Sequence, residues 1–516
     1  MPPGTAPRSP ARPALAGTLG RRALWPAAAG LLLAAVDAYA VVTLLPQMMA
    51  ATGVPVDQPQ AATPIVTGFL VGYVVAMPLL GTYSDHRGRA PAYAVAMGVF
   101  LLGSTLTALS GSLAWLVAGR VLQGLGGGAL VPLTLALAAD LSAPGTRGPL
   151  VGTISALQEA GSAVGPLYGA ALAAALGGWR GVFWLNLPLG GMAVAGLWLG
   201  RRSGTSSGAA HPPPATAGID WPGAILLGGG LGLAVLALYP DAPESRPLNG
   251  AALPLGLTAL AALLAFAWHQ VRRLSPLIPA RLLRARAFWG GLSTNLLAGG
   301  ALMVALVDVP VLARGAFGLS TLDSGLLLSR LLVGLPVGAA LGGWLTGRLG
   351  KRWTAGAGLV LSATAFALMS SWGTHEPTAP ASPASAELAA CGAGFGLLIA
   401  PLTVAVLDLA RSEEHGLASG LVVLSRTTGM VLALAALTTF GLAEFQRLLR
   451  THPCVLPPAG DLSARLRAFE GCTRAALLQE YREVFLVAAG LCAAGALVAL
   501  LTLPGGGRGG LGRSRR

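Results

Sequence analysis

The sequence predicts an all-α polytopic membrane protein, and three observations carry that prediction. Of 516 residues, 54% are hydrophobic and 10% charged, where a water-soluble domain carries about 25% charged residues. Runs of about 20 apolar residues follow one another, the length an α-helix needs to cross a hydrocarbon core. They exclude a β-barrel, whose strands alternate in polarity. Between two such runs stands a compact basic stretch, residues 81–91, reading G-T-Y-S-D-H-R-G-R-A-P.

That stretch has the chemistry of a tight turn between helices. Gly81 lets two helices approach, and Gly88 permits a bend that a Cβ resists. Asp85 ends one helix and suits the free N-terminus of another. Arg87 and Arg89 hold the turn on the cytoplasmic side. A second copy lies at 343–352, G-W-L-T-G-R-L-G-K-R, with Gly343, Gly350 and Lys351 in register and Gly347 where Asp85 stands. Pro132-Leu133-Thr134 is echoed in the same way by Pro401-Leu402-Thr403. Two related halves follow.

Fourteen spans are expected. The first runs roughly from Ala23 to Met49, the second ends at Gly81, and the next four cover about Ala92 to Leu109, Leu113 to Ala139, Leu150 to Leu176 and Phe183 to Leu199. A polar linker, 201–220, precedes two further spans within 221–269. A basic connector, 270–287, leads to six more, which begin near Phe288, Ser324, Thr354, Glu387, Leu417 and Arg482. Residues 23–200 and 288–504 are then six-helix bundles, between a disordered basic N-terminus (1–22) and a basic tail (505–516). The net charge of +14 sits mostly in short loops on one side. It therefore speaks for membrane orientation rather than nucleic acid, with both termini cytoplasmic.

The turn resembles the G-x-x-x-D-R-x-G-R-R/K signature of the major facilitator superfamily, from which His86 and Ala90 depart. Arg120-x-x-Gln123-Gly124-x-Gly126 resembles that superfamily's fourth-helix motif, and Gly161-x-x-x-Gly165-Pro166-x-x-Gly169 its antiporter motif. Residues 179–188, W-R-G-V-F-W-L-N-L-P, are similar to the fourteen-span drug:proton antiporter branch. Residues 37–43, 302–309 and 426–430 resemble the mycobacterial triacylglyceride exporters within it. The resemblance implies a major facilitator fold, two six-helix bundles plus two inserted helices, and proton-coupled export.

Ionisable groups inside spans are costly and mark sites. Asp37, near the middle of the first span, is the expected proton carrier. Glu159 and Arg426 lie at matched depth and are expected to pair across the bundles. Asp308 and Arg330 form a possible second coupling pair. Arg120, Gln123, Tyr39 and Asn295 are expected to line the cavity. Cys391 and Cys492 fall within spans, whereas Cys454 and Cys472 fall between the last two and are expected to bond. There the apolar pattern continues past the membrane edge, at Leu442, Phe445, Leu448 and Leu449, then at Leu462, Leu466 and Phe469. A helical hairpin, 441–482, is expected to stand in the periplasm.

No catalytic constellation or metal-ligand spacing is recognisable, and no Walker lysine is present, so the expected cofactor is none and the energy source the proton gradient. The expected function is secondary active export of hydrophobic or amphiphilic molecules, lipids such as triacylglycerides first. Multidrug:proton antiport is the alternative, and a non-transporting membrane lipid receptor the remote one. A monomer is expected, with a periplasmic lipoprotein carrier as a possible partner.

Overall fold

The computed structural model describes residues 13–54, 62–143, 145–202, 219–238, 249–273, 276–373, 383–451 and 462–505. They form α1 (Pro13–Ala51), α2 (Thr63–Arg87), α3 (Arg89–Leu109), α4 (Leu113–Asp140), α5 (Arg147–Ala175) and α6 (Trp179–Arg202). The inserted pair is α7 (Trp221–Leu238) and α8 (Ala252–Arg272), followed by the short α9 (Ala280–Arg284). The second bundle is α10 (Arg286–Gly315), α11 (Thr321–Leu349), α12 (Lys351–Met369), α13 (Pro383–Leu407), α14 (His415–Thr451) and α15 (Leu462–Thr502). Among the described residues, then, fourteen long helices are present. Twelve are long and apolar enough to cross a membrane. The two others, α5 and α12, carry Gln158 and Glu159, and Lys351 and Arg352. A count of fourteen spans is compatible with this.

The two halves repeat in detail. Gly88 (φ 92°, ψ 156°) separates α2 from α3, and Gly350 (φ 84°, ψ 163°) separates α11 from α12 in the same conformation. That region is costly for any residue with a Cβ. A Cβ on Gly124 or Gly128 of α4 would strike the backbone of α2, and one on Gly392 or Gly396 of α13 would strike that of α11. Small residues four apart thus zip the same helix pair in each half.

The apolar core shows how the bundles meet. At the end that carries the α2–α3 turn, one continuous cluster joins both halves. It takes Val74, Met77, Leu135 and Ile154 from the first bundle, and Val404, Leu417, Leu421 and Val422 from the second. At the opposite end the cores are separate. One holds Leu44, Met48, Ile65 and Phe183 of the first bundle, the other Leu312, Leu327, Trp372 and Phe485 of the second. Toward that end α5 is laid open, with Leu167 73% exposed. The bundles are therefore joined at the turn end and parted at the other.

The inserted pair rides on the joined end. Gly228 and Gly232 of α7 face Val75, Pro78 and Val71 of α2. Asp220, inside the stretch expected to be a polar linker, is buried. It accepts hydrogen bonds from His269 (2.9 Å) and from the Gly223 N–H (3.1 Å), and lies 3.5 Å from Arg273. The helices flanking the expected hairpin are long. α14 runs to Thr451 and α15 starts at Leu462, so both exceed the length of a span. At 1.5 Å per residue they reach about 55 and 60 Å, against a hydrocarbon core of about 30 Å.

Across the bundles α5 and α11 approach at glycines, of which the sequence reading quoted Gly343 but passed over Gly148 and Gly152. A Cβ on Gly152 of α5 would stand 2.6 Å from Gly343 Cα of α11, and one on Gly343 would stand 2.6 Å from Gly148 O. A leucine at Gly343 should therefore block closure of this end while leaving each bundle folded. A cysteine replacing Val422, buried in the shared core, should become reactive to a membrane-permeant thiol reagent in Gly343→Leu. Unchanged protection there would show that the two glycines do not set the approach.

Candidate functional site

The first polar cluster is sealed inside the N-terminal bundle. Asp37 of α1 is 2% exposed. Its Oδ2 accepts from Arg120 Nη1 and Gln123 Nε2 of α4, both at 3.1 Å. Its Oδ1 accepts from Asn186 Nδ2 of α6 at 2.6 Å. Asn186 Nδ2 also donates to Ser104 Oγ of α3 at 2.9 Å, and Gln123 Oε1 accepts from Arg120 and from Thr107 Oγ1. The Arg120 guanidinium carbon lies 4.4 Å from the centre of the Phe69 ring, a cation–π contact from α2. Five helices thus converge on one carboxyl. Arg120 and Gln123, expected on a cavity wall, are instead buried behind it. The reading missed Asn186, Ser104 and Thr107. An amide in the middle of an apolar span was the available signal.

The second cluster crosses the bundles. Arg426 Nη1 of α14 donates to Glu159 Oε1 of α5 at 2.8 Å. Tyr39 of α1 and Tyr73 of α2 stand close enough to interact with both charges. Tyr39 is 38% exposed. From Leu417 to Leu424 α14 is buried, and from Ser425 to Thr428 it is half-buried. The pair therefore sits where the shared core gives out. Beneath it is a void of about 10 Å³ lined by Ser155, Gln158, Asn295, Thr403 and Arg426 among others. Asn295 itself is buried and donates to the Val422 carbonyl at 2.6 Å, tying α10 to α14 rather than facing an open wall.

The third cluster closes the turn end. Asp85 Oδ1 and Oδ2 accept the N–H groups of Gly416 and Leu417, each at 2.9 Å, so a carboxylate of one bundle caps a helix of the other. Arg89 of the same turn, not an arginine across the interface, pairs with Asp85. Arg89 also donates to Asp140 Oδ2 (2.8 Å) and across the interface to the Ser412 carbonyl (2.8 Å). A Cβ on Gly81 would stand 2.8 Å from Gly416 O. Arg87 is exposed.

Two cross-bundle clamps flank this cap. His415 Nδ1 lies 2.5 Å from Asp140 Oδ1, and Arg147 Nη1 lies 2.7 Å from Asp408 Oδ1. Arg89 supports Asp140, and Lys351, at 2.5 Å, supports Asp408. Asp140 precedes Arg147 by seven positions, and Asp408 precedes His415 by seven. The clamps are therefore the same feature in the two repeats, each acid reaching the other repeat's base. The sequence reading quoted the repeats but not this spacing.

The remaining expected residues divide. Gly161, Gly165 and Gly169 pack α5 against Ala35, Val36 and Ala40 of α1, and the Pro166 carbonyl accepts from Thr43 Oγ1 at 3.0 Å. The antiporter stripe thus lies within one bundle, and the seam between bundles falls to Gly148, Gly152 and Gly343. Asp308 is 8% exposed, and its Oδ2 has no hydrogen-bond partner. No ion pair joins it to Arg330, so that expected pairing is corrected. Arg330 donates to the Leu326 carbonyl of its own helix at 3.4 Å. It precedes Ala339, which faces α5, by nine residues, or two and a half turns, and so points the other way. The acidic group near Asp308 is Glu480 of α15. Cys391 and Cys492 are free and buried, and Cys472 is disulfide-bonded. Cys454 lies outside the described residues.

Two repeated bundles, joined at one end and holding ion pairs within and between them, define a multi-pass membrane transporter. A model of the Major Facilitator Superfamily matches residues 27–434, and the chain belongs to that superfamily. A triacylglyceride transporter of Mycolicibacterium hassiacum is 39% identical over 487 residues, covering 91% of this chain and 89% of its own. One of Mycobacterium tuberculosis strain H37Rv is 38% identical over 499 residues, covering 93% and 94%. Among solved structures, the human organic anion transporter MFSD10 has a TM-score of 0.57 at 17% identity, covering 92% of this chain and 99% of its own. The Escherichia coli fucose:proton symporter FucP has a TM-score of 0.57 at 12% identity, covering 93% and 98%. These two share the fold.

The clamps make a quantitative prediction. In double-mutant cycles on closure of the turn end, read by single-molecule energy transfer, Arg147→Gln with Asp408→Asn should show a coupling of roughly 0.5–3 kcal/mol. His415→Gln with Asp140→Asn should do the same. Cycles that mix one residue from each clamp should be additive to within about 0.5 kcal/mol. Coupling in the mixed cycles equal to that within a clamp would mean that the two do not act as separate units.

Proposed function

We propose that this transporter exports lipids, triacylglycerides first, in exchange for protons by alternating access. The turn end faces the cytoplasm in this reading, because Arg87, Arg89, Arg147, Arg281, Arg348, Lys351 and Arg352 gather there. The observation that carries the reading is the uneven seam. One core spans both bundles at the turn end, and separate cores face each other at the other end. That is the arrangement of a transporter closed to the cytoplasm. The opposite state would break the Asp85 cap and both clamps and bring the other ends together.

Coupling rests on two carboxyls with different neighbours. The partners of Asp37 all donate, which suits a carboxylate. The pair of Glu159 and Arg426 joins the bundles, so protonating Glu159 loosens a contact between them. Removing one partner of a buried ion pair costs roughly 3–5 kcal/mol, enough to reverse an equilibrium between two facing states. The lipid assignment draws support from the identity with transporters named for triacylglycerides over nine-tenths of the chain. The apolar exposed surface of α5, Val164 and Leu167, suits the same cargo. The sequence pattern of the α14 and α15 extensions, with Leu442, Phe445, Leu448 and Leu449, and Leu462, Leu466 and Phe469, suits a guide for a lipid tail toward the outer leaflet or a lipoprotein carrier.

Asp37→Asn keeps the side-chain volume and removes titration. Export of a fluorescent triacylglyceride from proteoliposomes under an imposed pH gradient should be abolished, with cargo binding retained. Gradient-driven export at the native rate would remove Asp37 from the coupling. The cargo is tested separately by shortening both extensions, 437–451 and 462–473, by equal numbers of helical turns. Triacylglyceride export should fail while any export of small cationic dyes survives. Equal loss of both in a correctly inserted protein would favour multidrug export and leave the extensions a structural part.

A further inference from the structure

The network around Asp37 contains two amides, and they are bound differently. Gln123 is fixed at both ends. Its Nε2 donates to Asp37 Oδ2 (3.1 Å) and Ser104 Oγ (3.3 Å), and its Oε1 accepts from Arg120 (3.0 Å) and Thr107 (3.1 Å). Turning that amide over would place a donor against an arginine. Asn186 is fixed at one end only. Its Nδ2 donates to Asp37 Oδ1 (2.6 Å) and Ser104 Oγ (2.9 Å), while its Oδ1 is buried with no hydrogen-bond partner. A buried acceptor left unsatisfied costs about 1–3 kcal/mol, and the residue is 1% exposed, so solvent does not relieve it.

The same carboxyl has two hydrogen-bonding needs. As a carboxylate it accepts only, and the structure gives it three donor groups. As a carboxylic acid it carries one O–H that requires an acceptor. Oδ2 is held by the charged guanidinium of Arg120, so the proton belongs on Oδ1, which faces Asn186. Among the described residues that hydrogen-bond Asp37, the one unused acceptor is Asn186 Oδ1. The other titratable groups facing the carboxyl are Arg120 and the half-buried Tyr168 of α5.

We infer that Asn186 is the positioning residue that reads the protonation state of Asp37, by turning its side-chain amide over when the carboxyl takes up a proton. In the ionised state the amide N–H donates to Asp37 Oδ1, as seen. When a proton binds Oδ1, the amide turns through half a revolution about its terminal torsion, and its oxygen accepts the new O–H. No bond other than the O–H is made. Ser104 then loses the N–H of Asn186. Its hydroxyl, which now donates to the Phe183 carbonyl at 3.0 Å, is placed to turn toward the amide oxygen. Because Asn186 and Phe183 lie on α6 and Ser104 on α3, the proton on α1 is registered as a change between two other helices. This rests on Asp37 being the proton carrier.

The test is infrared difference spectroscopy of the full chain in lipid, comparing acidic with neutral medium. The C=O stretch that appears on acidification and is lost in Asp37→Asn belongs to Asp37. In the native protein it should fall where hydrogen-bonded carboxylic acids absorb. A side-chain amide band sensitive to asparagine isotope labelling should shift with it. In Asn186→Leu the Asp37 band should move up to the free-acid position, and the amide shift should vanish. Asn186→Ala, which demands no space, provides the same readout should leucine prevent insertion. An unchanged Asp37 band in these variants would overturn the role of Asn186 while leaving Asp37 as the carrier, even if stability falls. Absence of any acid-induced Asp37 band in the native protein would overturn both.

Discussion

Hydrocarbon offers no hydrogen bonds, so each charged group within these helices must find its partner in the protein. That constraint shapes the molecule more than any single packing contact. Asp37 draws donors from α4 and α6, with α3 bracing them. Glu159 and Arg426 satisfy each other across the bundle interface at 2.8 Å. At the turn end Asp85, Asp140 and Asp408 each have one partner in their own bundle, Arg89 or Lys351, and at least one in the other. Toward the turn end polar partners reach across the seam as well as within each bundle. The joints that hold one facing state are therefore polar and at the edge, whereas the groups proposed to carry protons are central and buried.

A switch needs two states within a few kcal/mol of each other. The repeat supplies a seam of matched weak joints instead of one strong one. Gly81 meets Gly416 as Gly148 meets Gly343, and Asp140 meets His415 as Asp408 meets Arg147. The repeats are unequal in two places. Asp85 caps α14, whereas its counterpart Gly347 faces open space and leaves the start of α5 to the Arg147–Asp408 clamp. One clamp uses a permanently charged guanidinium and the other an imidazole. The inserted pair and α9 add a brace from outside, through Arg281, which binds Glu414 and the Leu409 carbonyl just before α14.

Much of the fold was legible because apolar runs and glycine turns are local signals. Gly88 and Gly350, read as turn glycines, take up the same left-handed conformation. Ion pairing was legible only where depth alone sufficed. Glu159 and Arg426 meet because both enter from the same face and both face the seam. Asp308 and Arg330 share a depth too, but depth says nothing about the direction a side chain takes around its helix, and Arg330 points away. Arg120 and Gln123 were placed on a cavity wall from their helical spacing. Helical spacing gives them one face but not the neighbour that covers it. Asn186 went unread because one amide in a span has no partner visible in sequence, and Asp220 because it stands at the edge of a stretch rich in serine, glycine and proline.

The claim on which the account turns is that cargo and protons move in opposite directions through one exchanging seam. The direct measurement is proton flux in proteoliposomes with no imposed pH gradient, started by loading triacylglyceride on one side and an acceptor for it on the other. The account predicts that lipid movement carries protons the other way. This should appear as a pH change that requires the protein and collapses with a protonophore. Lipid transfer at full rate with no accompanying pH change would contradict it.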